Sequence, residues 1–257
     1  MTINRETALH ASRKFRLMRT GNIVTLVSLA VILANAILAL MIVWSNPFAF
    51  FVTGGMEMLA FFMLLSGIAA LVGGIMYVVG LYGLRDVRPE YKDAFFCEIV
   101  LIVLAIIGAL VGSESVLGQI LSTIKTLGTL VVLWLVILGT RHLLENLQQE
   151  EIPRRGKILW WLSAASTIVA CGYALIPTPS VIDTGAIILL AAGVVISVFS
   201  LVAAVYYVNY LGRVANALEA QTLEQAVEAL EEENVFRQLA RVIQTSSGDR
   251  KIPVVAT

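Results

Sequence analysis

Lys125 is the residue of this sequence whose position most needs a chemical explanation. It stands inside an apolar run, with Gln119, Ser122, Thr126 and Thr129 around it at spacings of three and four. On a helix that spacing puts all five residues on one side. A charge within a bilayer is costly, and such residues mark ion or solute paths or pair with other polar groups. The stripe therefore has two readings. In one it lines an ion or solute path, or offers an anion-binding lysine. In the other it is a packing stripe whose lysine snorkels toward the headgroups.

A second candidate group is acidic. Glu57, Glu114 and Asp183 each stand at the start of an apolar run, on the side where the loops carry no Lys or Arg. They form either a cation-attracting vestibule or three solvated carboxylates favoured by the positive ends of helix dipoles. Glu98 falls about one turn inside another run, with Arg85, Arg88 or Arg141 as its expected partners. Asn35 shares a helix face with Ser28, which predicts a hydrogen bond between helices.

Other chemistry finds no residues to carry it. The two histidines, His10 and His142, lie outside the apolar runs, so neither a bis-histidine haem nor a zinc site fits. No nucleophile elbow, H-E-x-x-H helix, P-loop or dinucleotide-binding glycine run occurs. Cys97 and Cys171 read as small buried hydrophobes. The expectation is a non-enzymatic chain with no catalytic residue, cofactor or metal site, and no nucleic-acid partner.

The elements that must position these residues are apolar. Of 257 residues, 58% are hydrophobic and 14% charged, and the mean hydropathy is +0.86. A soluble domain carries roughly 25% charged residues, so the composition places this chain in a lipid bilayer. Runs long enough to span cover about residues 22–44, 56–83, 94–112, 117–140, 158–176 and 184–210. The first run outlasts the core of a signal peptide and reads as an uncleaved span.

Lys and Arg cluster before the first run, after each even-numbered run and in the C-terminal segment. The three alternate loops hold none. By the positive-inside rule both termini are cytoplasmic, and the location is the cytoplasmic membrane of a bacterium. The predicted fold is all-α: a polytopic six-transmembrane-helix bundle built of three hairpins, with a cytoplasmic amphipathic C-terminal helix. Its parts are a basic N-terminal segment (1–20) at the headgroup level, the membrane domain (21–211), the cytoplasmic helix (212–244) and a loose tail (245–257).

Small residues at Ser66, Ala70 and Gly74, and at Gly193, Ser197, Ser200 and Ala204, predict close helix packing. Thr222-Leu223-Glu224-Gln225 reads as a capping box that starts the cytoplasmic helix. Leu223, Val227 and Leu230, then Phe236, Leu239 and Ile243, give that helix an apolar stripe beside a glutamate-rich face. Its contact is therefore protein, either a partner, a second copy over residues 223–244, or this chain's own loops at Arg141, Arg154 and Arg155. The first functional reading is a scaffold or regulatory membrane subunit acting through association. The alternative is a small-solute or ion channel or transporter using the Lys125 stripe.

Overall fold

In hydrocarbon every backbone N–H and C=O needs a partner within the protein, and a helix supplies one from its own chain. The apolar runs of this sequence take that solution. The computed structural model describes residues 5–45, 55–112, 115–145, 151–174 and 184–248. They form α1 (Arg5–Ser45), α2 (Gly55–Leu84), α3 (Pro89–Val111), α4 (Val116–Leu144), α5 (Glu151–Ala174) and α6 (Thr184–Gly248). No strand occurs among the described residues. Five of these helices, α1 to α4 and α6, are long and apolar enough to cross a membrane. In α5, Ser163, Ser166 and Thr167 dilute the apolar run, and all three face the cavity described below.

Local chemistry sets the described helix ends. Pro89 opens α3 behind an extended Arg88, since proline at the first helical position gives up an N–H that had no partner anyway. Gly112 ends α3 at φ +87°, a left-handed conformation that favours glycine. Ser115 then caps α4 by accepting the Gly118 N–H at 2.9 Å.

The principal packing contacts follow the chain around a ring. Each helix packs on its sequence neighbours, and α1 closes the ring on α6. Neighbours run antiparallel. Along α1 and α2, Gly21 meets Gly73, Met18 meets Gly80 and Lys14 meets Gly83. A Cβ on Gly21 would lie 2.5 Å from the Gly73 carbonyl oxygen, so glycine permits that approach. Along α3 and α4, Tyr91 bonds Thr140 at 3.1 Å while Leu101 covers Gly128. Along α5 and α6, the Ser166 and Ser200 hydroxyls meet at 2.9 Å, and Tyr173 donates to the Leu189 carbonyl.

The small-residue positions divide their work. Ser66 and Gly73 are buried, whereas Gly74 has open space beside it. Among the described residues Asn35 makes no bond between helices. Its Nδ2 donates to the Val31 carbonyl of its own helix at 2.9 Å, a partner always within reach one turn away.

The buried core lies at one end of the ring, where the Lys and Arg clusters are; we call this the basic end. Phe15, Met18, Leu81, Leu84, Tyr91, Val136, Leu159, Leu211, Val214 and Leu218 are fully or almost fully buried there. The sequence boundary at residue 20 therefore marks no structural break. α1 is continuous from Arg5, and Ala8, Ala11, Phe15 and Met18 are core residues, not a surface layer. At 1.5 Å per residue α1 is about 60 Å long, twice the hydrocarbon thickness of roughly 30 Å.

The boundary at 211–212 is likewise unbroken. α6 runs 65 residues, and no breaker stops it near Thr222. The Thr222 hydroxyl donates to the Glu219 carbonyl at 2.7 Å inside the helix, so the sequence match to a capping box does not start a helix. A cap needs a residue with non-helical backbone, and here the preceding turns already hold Thr222 in the helix.

Candidate functional site

Beside that core, on the side away from the basic end, the ring lines a partly open cavity of about 450 Å³ to which all six helices contribute. α1 brings Asn22 and Thr25, α2 brings Gly74 and Tyr77, and α3 brings Glu98. α4 brings Thr129 and Leu133, α5 brings Ser163, Ser166 and Thr167, and α6 brings Ser200, Ala204 and Tyr207. The space has room for several waters or one small organic solute.

The lining is rich in hydrogen-bond acceptors. Within a helix, a hydroxyl or amide can donate its proton to a carbonyl of the preceding turn, which leaves its oxygen lone pairs free. Thr25 donates to the Gly21 carbonyl at 3.1 Å and Thr129 to the Thr126 carbonyl at 2.7 Å. Asn22 Nδ2 donates to the Met18 carbonyl at 3.0 Å, leaving Oδ1 as the other polar atom of that amide. Glu98 is the one carboxylate among the described lining residues, and no Lys, Arg or His joins it there. The cavity therefore offers a carboxyl group and lone pairs, which suits a cation or an N–H donor.

The basic end of the cavity is closed. The Tyr77 and Tyr207 hydroxyls share a hydrogen bond of 3.1 Å, with their rings edge-on at 6.4 Å. Beyond them Met18 lies against Gly80, and Tyr91, Val136, Tyr210 and Val214 pack with almost no accessible surface. Phe15 meets the Tyr91 ring edge-on at 5.8 Å. Further out, His142 contacts the Glu90 carboxylate at 2.5 Å, and Arg88 donates to the His142 carbonyl at 2.9 Å. Polar ties thus clamp the ends of α3 and α4 around an apolar plug.

The sequence-derived stripe meets this site at one residue. Thr129 lines the cavity. Gln119, Ser122 and Lys125 are exposed, and Thr126 is half-buried. Lys125 lies one turn from Thr129 on the same face of α4. Among the described residues no ion pair joins it to Glu98.

Among the described residues Glu98 makes no ion pair with Arg85, Arg88 or Arg141. Arg85 lies over the Tyr82 ring and beside Asp86, and Arg88 serves His142. Glu98 instead lines the central cavity, on the face of α3 that looks across the ring. Of the three expected outer carboxylates, Glu57 is exposed in the first turn of α2, while Glu114 and Asp183 lie outside the described residues. Cys97 and Cys171 are free and half-buried.

Sequence reasoning passed over Asn22, Thr25, Tyr77, Ser163, Ser166, Thr167 and Tyr207. The available signal was local: Asn22 with Thr25, and Ser163 with Ser166 and Thr167, recur at three- to four-residue spacing. Compared with protein-family models, characterised proteins and solved structures, the chain matches none.

Proposed function

We propose that this chain is a multi-pass membrane protein that binds a small cationic solute in its central cavity and carries it across the bilayer. The observation that supports this most is the convergence of polar groups from all six helices on one space containing one carboxylate. Packing alone accounts for the Ser166–Ser200 and Tyr77–Tyr207 pairs, but not for a carboxyl group with no ion-pair partner among the described residues, which is costly in hydrocarbon. Glu98 is the counter-ion in this reading, and the Tyr77–Tyr207 pair with the core beneath it is the closed inner gate. No enzymatic step belongs to the reading. The topology that goes with it has six spans in three hairpins, with α5 as the fifth span. Both termini face the cytoplasm of a bacterial cell, because Lys and Arg are absent from all three alternate loops.

The test is flux. The full chain in liposomes, given a pH gradient, is offered a panel of small organic and inorganic cations. At least one cation should accumulate with the wild-type chain and fail to accumulate with Glu98→Gln. Equal uptake by both would remove Glu98 from the mechanism, and no uptake of any panel member would count against transport.

A second reading, association, has its own support. Leu223, Val227, Leu230 and Phe236 on α6 are 67%, 54%, 60% and 69% exposed, so no described residue of this chain covers them. The side chains of Leu239 and Ile243 lie outside the described ones. A stripe of large apolar residues in water is a protein-contact surface. Cutting the chain after Gln221 should leave a folded bundle of lower mass by light scattering in detergent. A truncated chain with the oligomeric state of the intact one would remove this role.

A further inference from the structure

At the basic end, separate from the central cavity, three arginines from three helices converge on one pocket. Arg19 of α1, Arg155 of α5 and Arg213 of α6 line a space of about 350 Å³, together with Asn209, Tyr210 and Asn216. Like charges gathered at the edge of a membrane repel unless something of opposite sign lies among them. Among the described residues the protein supplies little. Glu151 lies 3.7 Å from Arg155 and 3.5 Å from Arg213, and its side chain is 76% exposed. One solvated carboxylate thus serves two guanidinium groups.

Arg19 has less. Its Nε is buried and has no hydrogen-bond partner among the described residues. Its guanidinium lies against Gly212 of α6, where a Cβ would come within 3.0 Å of that Nε. A glycine therefore gives the guanidinium room to lie flat on α6. A buried donor on a charged group normally has an acceptor, because leaving it unmade is costly. We infer that this pocket binds a phosphate-type oxyanion, held by Arg19, Arg155 and Arg213. Guanidinium forks match phosphate oxygens in pairs, and the two asparagine amides can donate to the remaining ones. At the level of the inner headgroups the same chemistry serves an anionic phospholipid or a free phosphate group.

The experiment uses the full chain in nanodiscs, with unfolding followed by tryptophan fluorescence. Neutral phosphatidylcholine discs are titrated with inorganic phosphate, and phosphatidylglycerol-containing discs are measured without it. A saturable rise in Tm with phosphate identifies a free anion as the ligand. A rise only with phosphatidylglycerol identifies a lipid headgroup. In either case Arg19→Gln should weaken the apparent affinity about tenfold or more, as expected for loss of a charge-assisted hydrogen bond. Should Arg19→Gln fail to fold, Asn216→Asp at an exposed lining position keeps the test alive. Its carboxylate competes with the anion, so the anion-dependent rise should shrink. No rise in either arm overturns the site. So does a rise matched by sodium chloride at equal ionic strength, or one undiminished in both variants.

Discussion

A cysteine at position 129 reacts quickly with a charged, water-soluble thiol reagent added from the side opposite the basic end, and a cysteine at position 136 does not. Both substitutions are made in a chain with Cys97 and Cys171 replaced by alanine, so that each variant carries one thiol. Thr129 lines the central cavity, whereas Val136, two turns along the same helix, is fully buried in the plug. Thiol modification needs the thiolate and water around it, so a residue in the plug reacts only when the plug opens. Opening a packed core costs several kcal/mol, and each 1.4 kcal/mol is about a factor of ten. The expected rate ratio is therefore roughly a thousandfold or more. Reagent added from the basic side should modify neither residue quickly. Comparable rates at the two positions would mean that the basic end is not closed. A slow reaction at position 129 from both sides would mean that the cavity is sealed, and the transport reading would lose its access route.

The second large effect concerns the plug itself. Phe15→Ala should destabilise the protein by about 3–5 kcal/mol, the usual cost of removing a large buried aromatic side chain. Phe15 is fully buried and packs edge-on against Tyr91, which in turn bonds Thr140 on α4. The lost ring opens a void where α1 meets α3, at the level that closes the bundle. Reversible unfolding in mixed micelles, compared with Leu9→Ala as a control, measures the effect. Leu9 is on the same helix and 38% exposed, so its truncation should cost far less. Equal losses for the two variants would mean that residues 5–20 lie on the surface as a basic, lipid-facing segment.

That second prediction could not have been written from the sequence. Read linearly, residues 1–20 are rich in Arg and poor in long apolar runs, and composition assigns such a stretch to the headgroup region. Only the packing of α1 against α2 and α6 shows that Ala8, Ala11, Phe15 and Met18 form one inward-facing stripe. The Thr222 motif failed for a related reason. Its four residues carry the right chemistry, but whether a serine or threonine caps a helix depends on the backbone before it, and α6 is already helical there. Lys125 drew attention because a charge in an apolar run stands out without any partner being known. Ser163 and Thr25 did not, because a single hydroxyl on a membrane helix is unremarkable until others are placed opposite it.

By itself the sequence determined the solvent, the class of structure and the asymmetry of charge. Apolar runs longer than the bilayer is thick leave the backbone the helix as its local solution, and charge segregation is a sum over residues that needs no contacts. Helix order around the ring, the interior face of each helix and the meeting of polar groups were decided only by the tertiary structure. Glu98 and Thr129 are 31 positions apart, and Asn22 and Tyr207 are 185 apart, so no local spacing relates them. They share a cavity because Gly21 and Gly73 let α1 and α2 approach closely, because Tyr91 and Thr140 tie α3 to α4, and because α6 closes the ring on α1. Periodicity along one helix gives the direction of a face, and only packing between helices says what that face meets.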